Sequence, residues 1–203
     1  MKSKIDQIID DVKSGKPVIV VDDYDREFEG DIVIAAAMAN EYNLTFAMRH
    51  ARGLMCLPCL QDRCDRLDIP MMRTNNNDKY GTPFTVSIDA IEGTTTGMSV
   101  FDRLKTISVF LNDDSVPNEL AQPGHLFPLR ARPGLLKERR GHTEGSVELV
   151  SYCGFKPVSV IIEIMNEDGT MTKGEQLEKY AKIYNLNIIS IEEIYEEIYN
   201  KGI

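Results

Sequence analysis

The sequence predicts an α+β fold: a single domain over residues 1–203, with one mixed, twisted β-sheet flanked by helices in three layers. Three observations lead there. Apolar runs of strand length are interleaved with amphipathic helical stretches, but irregularly, so the repeating strand-helix order of a doubly wound sheet is missing. Neither a Gly-rich dinucleotide fingerprint nor a phosphate-loop pattern follows a strand. At 203 residues and 42% hydrophobic content the chain can bury one sizeable core, and no repeat, low-complexity tract or linker divides it.

Ser3 can cap a first helix running to residue 13, ended by Ser14-Gly15. Pro17-Val18-Ile19-Val20-Val21 then reads as a buried strand, and residues 32–37 as a second apolar run beyond an acidic loop. A helix over 41–51, a strand over 54–60 and a short helix capped by Asp62 follow. Residues 73–82, with Asn75-Asn76-Asn77-Asp78 and Gly81, form a polar loop, either an inert turn or a cover over a site. Residues 84–90 alternate as a strand, and Asp102 is expected to cap the next helix. The prolines of 112–133 suggest a long irregular connection with a strand near 126–129. Thr143 opens a helix ending near Cys153-Gly154, residues 157–165 make a strand, and Asp168-Gly169 a turn. A helix over 175–184 and a strand over 187–189 lead to a last helix with the capping box Ser190 and Glu193.

The net charge of -9 and a pI near 4.9 exclude a surface built for phosphate backbones, so no nucleic-acid partner is expected. No apolar stretch approaches the roughly 20 residues that span a bilayer, and Met1-Lys2-Ser3-Lys4-Ile5-Asp6 runs into an acidic amphipathic segment, unlike a signal peptide. No membrane contact is expected, and the location expected is cytoplasmic.

Three places carry chemistry-bearing residues. Asp22-Asp23-Tyr24-Asp25-Arg26-Glu27-Phe28-Glu29-Gly30-Asp31 gathers carboxylates at a strand end. Two like charges about 4 Å apart repel by roughly 4 kcal/mol at an effective dielectric near 20, so such crowding calls for a cation or raised pKa values. If residues 27–31 are extended, Glu27, Glu29 and Asp31 share one face and could bind a hard cation; the alternative is a solvated acidic turn. Arg139-Arg140-Gly141-His142-Thr143-Glu144 sets a basic pair and an imidazole at a helix start, which suits an anion such as phosphate unless it is an exposed basic loop. Glu163 sits inside the apolar run Val158-Ser159-Val160-Ile161-Ile162-Glu163-Ile164-Met165, sharing a face with Ser159, Ile161 and Met165. It is either a partly buried acid or part of an exposed strand face. His125 follows Pro123-Gly124 in an expected loop, and taken alone reads as structural.

Cys56-Leu57-Pro58-Cys59 has redox or half-zinc spacing, yet Cys153 is isolated and no His lies beside Cys64, so the four thiols are expected to be structural and buried.

Together, Asp25-Arg26-Glu27-Phe28-Glu29-Gly30-Asp31, Glu92-Gly93-Thr94-Thr95-Thr96-Gly97, Asp102-Arg103, Pro123-Gly124-His125 and Arg139-Arg140-Gly141-His142-Thr143-Glu144 resemble the 3,4-dihydroxy-2-butanone 4-phosphate synthases over most of the chain. The resemblance implies a lyase that converts D-ribulose 5-phosphate to L-3,4-dihydroxy-2-butanone 4-phosphate and formate for riboflavin synthesis. Enolisation, loss of water, skeletal rearrangement and release of formate would be assisted by Mg2+ or Mn2+. It implies Glu27 and His142 as metal ligands, and His125, Glu163, Glu27 and Asp31 as catalytic. Arg26, Glu27, Asp31, Arg139, Arg140, Gly141, His142, Thr143 and Glu163 would bind the sugar phosphate, with Arg139 and Thr143 nearest the phosphate. It further implies a homodimer with active sites near the subunit interface. Two departures are visible: Phe28 stands where the family often has Asn, and Gly145 where a small Ala is common. Phe28 leaves room for a related metal-dependent isomerase or aldolase on another sugar phosphate; a non-catalytic sugar-phosphate sensor is a separate alternative.

Overall fold

The computed structural model describes residues 2–23 and 25–200; Met1, Tyr24 and residues 201–203, parts of the expected single domain and acidic loop, lie outside them. Helix α1 (Lys4–Ser14) starts in a capping box between Ser3 and Asp6 and stops at Gly15, whose left-handed φ of 77° releases the chain into β1 (Val18–Val21). Strand β2 (Gly30–Ala35), helix α2 (Glu41–His50), strand β3 (Cys56–Cys59) and helix α3 (Gln61–Arg66) follow. Then come β4 (Ile88–Ala90), α4 (Val100–Leu111), β5 (Leu120–Arg130), α5 (His142–Tyr152), β6 (Ser159–Glu163), α6 (Glu175–Tyr184), β7 (Ile188–Ser190) and α7 (Ile191–Tyr199).

The strands form one seven-stranded mixed sheet in the order β4-β5-β3-β6-β2-β1-β7. One face packs on α2, α4 and α6 through residues such as Leu44, Phe110 and Leu177, and the other on α1, α5 and α7 through Ile8, Val150 and Ile194. The three-layer arrangement is therefore as expected. Strand β6 explains why: Val158, Val160, Ile162 and Ile164 enter the first core, while Ile161 enters the second. Strands β2 and β6 run antiparallel with Asp31 opposite Glu163, and β3 joins β6 at Cys56 opposite Ile161. The start of β2, the end of β6 and the start of β3 therefore meet at one end of the sheet.

Several local expectations are corrected. Leu60, with no side-chain cap bond, precedes α3, and Asp62 lies in its first turn. Ser99 caps α4, because its side chain accepts from the Asp102 N–H; Asp102 turns back to accept from Thr95 N–H and O–H and Gly97 N–H. Strand β5 is eleven residues long, so His125 lies in a strand and not in a loop. Residues 84–90 are regular only at β4, with isolated bridges at Phe84 and Thr85. Pro123 and Pro128 of β5 have no N–H to donate to a neighbouring strand, which limits continuous pairing there. The four cysteines are free and buried, as expected, with Cys59 Sγ 3.3 Å from Cys64 Sγ. Among the described residues no helix is long and apolar enough to cross a membrane.

Candidate active site

Where those three strand ends meet, a cavity of about 140 Å3 is lined by Arg26, Glu27, Asp31, Arg139, His142, Thr143 and Glu163, together with Cys56, Thr82, Phe84, Leu129 and Ile161. Wider grooves exist, including one of about 440 Å3 between α1 and α7, but no buried titratable group lines that one. Chemistry and not size picks the site.

The acidic loop is shaped by Asp22. Its buried carboxylate accepts from Glu27 N–H (3.1 Å) and Glu29 N–H (2.8 Å) and from the Arg26 guanidinium (2.7 Å). Phe28 reverses the chain with φ 54°, in the left-handed region that Gly and Asn tolerate best, and its ring lies over Gly174. The expected extended run of 27–31 is therefore corrected. The left-handed Phe28 breaks the extended run after Glu27, and β2 begins only at Gly30; Glu27 and Asp31 line the cavity, while Glu29, ahead of the strand, pairs with Lys173 at 3.1 Å.

His142, the first residue of α5, sits between these acids, with Nδ1 4.0 Å from Glu27 Oε2 and Nε2 4.0 Å from Asp31 Oδ1. Neither His142 Nε2 nor Asp31 Oδ1 has a hydrogen-bond partner, though both are buried. Burial lowers the His142 pKa against the raising pull of Asp22, favouring the neutral imidazole that can ligate a metal. Burial likewise raises the carboxyl pKa of Asp31, helped by its neighbour Glu163. Glu163 and Glu27 are raised by burial too, the latter against Arg26. Asp22, Glu27 and His142 offer ligand atoms within 4.8 Å of one another. Asp22 already accepts three hydrogen bonds, which leaves Glu27 and His142 as the donors best able to turn to a cation. Arg26 bridges Asp22 and Glu27 at 2.7 and 3.1 Å, but the orphaned Asp31 Oδ1 and His142 Nε2 beside them fit a divalent cation with oxygen and imidazole ligands.

Arg139 is held over the cavity by Glu144 at 2.5 Å and by the Tyr80 carbonyl at 3.2 Å. Gly141 makes this possible, since a Cβ there would lie 2.2 Å from the Arg139 guanidinium. The polar loop 73–82 packs on the site: the Tyr80 hydroxyl donates to the Arg26 carbonyl, the Arg26 guanidinium lies 5.1 Å from the Tyr80 ring centre, and Thr82 lines the cavity. Glu163 receives the Leu54 N–H at 2.8 Å, beside Gly53, where a Cβ would lie 2.5 Å from Glu163 Oε2.

Three expected residues do not line the cavity: Gly141, Arg140 and His125. The Arg140 side chain reaches Glu192 and lies 3.4 Å over the Tyr195 ring, away from the cavity lining. His125 is exposed on β5, bonded to Asp89, and does not line the cavity of its own chain. Sequence reasoning missed Asp22, Gly53, Tyr80 and Glu144 as organisers. Asp22 and Glu144 lay within the acidic and basic motifs and Tyr80 within the polar loop, but none was given an organising role.

The family model of 3,4-dihydroxy-2-butanone 4-phosphate synthase matches residues 6–197. The chain is 43% identical over 191 residues to the synthase of that name from Klebsiella pneumoniae (strain 342), covering 94% of this chain and 88% of the relative. It is 47% identical over 192 residues to the riboflavin biosynthesis protein RibBA of Aquifex aeolicus, covering 94% of this chain and 47% of that longer protein. A crystal structure of a 3,4-dihydroxy-2-butanone 4-phosphate synthase in complex with two magnesium ions superposes with a TM-score of 0.91 at 37% identity, covering 99% of both chains. With near-complete coverage in both sequence and fold, the chain belongs to the 3,4-dihydroxy-2-butanone 4-phosphate synthase family and is an enzyme of that type.

Proposed function

We propose that the protein converts D-ribulose 5-phosphate to L-3,4-dihydroxy-2-butanone 4-phosphate and formate, with Mg2+ or Mn2+ held by Glu27 and His142. The observation that carries this is the buried, unpartnered pair Asp31 Oδ1 and His142 Nε2 inside a cavity bounded by Arg26 and Arg139. When bound, the cation supplies Lewis-acid polarisation of the sugar carbonyl and offsets the crowded carboxylates.

The residues divide the remaining work. The first N–H groups of α5, with Arg139 and Thr143, receive the phosphate, and Gly141 and the Arg140 backbone shape the turn beneath it. Arg26 and Asp31 orient the sugar hydroxyls. Asp31 and Glu163, opposite each other on β2 and β6 and raised in pKa by burial, exchange protons with substrate carbon and oxygen during enolisation and loss of water. Tyr80 and Thr82 on the polar loop limit water entry. His125 joins the reaction through a homodimer in which a second copy presents it at the cavity. Its exposure supports this, as does the apolar surface at Ile91, Met98 and Phe101, of which Phe101 is 68% exposed. A cytoplasmic location completes the proposal.

Proton NMR of the purified protein with Mg2+ and D-ribulose 5-phosphate tests it. Formate should appear, vanish with EDTA, and be lost in Glu27→Ala with the fold intact. Turnover retained in Glu27→Ala removes the metal assignment, and a product other than formate replaces the reaction with another sugar-phosphate conversion.

A further inference from the structure

We infer that Asp89 is a positioning residue that fixes the tautomer of His125, so that Nδ1 carries the proton and Nε2 presents its lone pair outward. The inference rests on the reading that His125 takes part in the reaction. The geometry is two-pronged: Asp89 Oδ1 accepts the His125 backbone N–H at 2.9 Å, and Oδ2 lies 2.7 Å from Nδ1 of the same residue. A carboxylate with both oxygens facing one residue fixes the ring's direction as well as its protonation, because an ionised carboxylate only accepts. No hydrogen bond among the described residues reaches Nε2.

The surroundings are shaped to hold this pair. Pairing between β4 and β5 shifts register between Ile88 and Asp89, which brings Asp89 against residues 121–125. A Cβ at Gly124 would lie 2.2 Å from the Ile88 carbonyl carbon and 2.4 Å from Asp89 N, so this approach of strands requires glycine. A Cβ at Gly97, whose φ is 86°, would fall 2.0 Å from Asp89 Oδ2. The Gly97 backbone therefore packs against Oδ2, the oxygen that faces His125 Nδ1. Buried Arg103 on α4 supplies the neighbouring positive charge. The His125 side chain, by contrast, is 48% exposed, while that of Asp89 is 14%. A pair built only for stability would have little reason to leave its imidazole edge in water.

In chemical terms, a proton taken from a substrate hydroxyl at Nε2 leaves an imidazolium whose Nδ1–H stays on the Asp89 carboxylate and an alkoxide on the substrate; the reverse transfer returns it. Asp89→Asn inverts this arrangement. The backbone N–H of His125 demands an acceptor at the Oδ1 position, so the amide carbonyl settles there and the amide NH2 faces Nδ1. The imidazole must then accept at Nδ1 and carry its proton at Nε2.

The test is long-range 15N–1H NMR of the histidine rings at alkaline pH, where the imidazole is neutral. The chain has three histidines, and His50→Gln and His125→Gln assign them. Wild type should show His125 protonated at Nδ1 and Asp89→Asn at Nε2. In turnover of D-ribulose 5-phosphate with Mg2+, Asp89→Asn should lower kcat about 100-fold, the scale of lost proton transfer, with KM within about threefold. A wild-type Nε2–H tautomer overturns the inference without any variant. If His125→Gln abolishes turnover while Asp89→Asn keeps it, Asp89 is not a positioning residue. If His125→Gln itself keeps wild-type kcat, both the inference and the reading of His125 fall.

Discussion

Glu144→Gln removes one charge and one acceptor from beneath Arg139 and changes almost nothing in shape. In the native chain Glu144 is fully buried; its Oε1 accepts the Arg132 N–H at 3.0 Å and its Oε2 the Arg139 guanidinium at 2.5 Å, with the Arg139 side chain only 12% exposed. A glutamine has a single carbonyl oxygen, so one of the two donors must face an amide NH2. If Arg139 is the one left, a charge-assisted bond worth about 1.5–3 kcal/mol is lost and a cation stays half-compensated. If Arg132 is left, the lost backbone bond is worth about 1 kcal/mol, and the ion pair still weakens. Either way the cost is roughly 2–4 kcal/mol, and with about 2–4 °C per kcal/mol for a chain of this size the melting temperature should fall about 4–16 °C. Arg139 keeps its Tyr80 carbonyl contact, so the site survives, but it is less rigidly placed for phosphate. KM for D-ribulose 5-phosphate should rise about tenfold, or roughly 1.4 kcal/mol of binding, with kcat within about threefold. Differential scanning calorimetry and initial-rate kinetics read both quantities. A melting temperature within 2 °C of wild type together with an unchanged KM would refute the reasoning that this buried pair holds Arg139.

Gly53→Ala should lower kcat by about 10–100-fold while leaving Mn2+ affinity by calorimetry unchanged, because the new Cβ displaces the Glu163 carboxylate and carbonyl and does not touch Glu27 or His142; full kcat in a folded variant contradicts it. For Asp102, the N–H groups of Thr95 and Gly97 and the hydroxyls of Thr95 and Ser99 hold the folded carboxyl at about 2, below its ordinary 3.8. A depressed pKa contributes stability above the unfolded value, and that contribution is lost as pH falls from about 4 toward 2. Asp102→Asn should therefore melt below wild type at neutral pH, with the gap closing between pH 4 and 2; a gap independent of pH in that window rules the assignment out.

Much of the architecture was legible because local chemistry decided it. Ser3 with Gly15, and Ser190 with Glu193, bound their helices as read, since a cap needs only residues a few positions apart. Parity in β6 held because the strand is extended and buried on both faces. Parity failed at 27–31 because Phe28 is left-handed, a state that nothing in an aromatic side chain announces. Ser99 and Asp102 are both competent caps three positions apart, and the choice fell to the Thr95-Gly97 loop that needed a carboxylate.

By itself the sequence determined the family, the three-layer α+β class and the residue types of the site, because short motifs carry their donors and acceptors with them. Tertiary structure alone decided that Asp31 stands opposite Glu163, that His142 comes between Glu27 and Asp31, and that Arg140 and His125 leave the cavity. Those relations depend on strand register and on helix placement across long stretches of chain. No local pattern encodes them, because the free energy that selects one register is spread over the whole packed core.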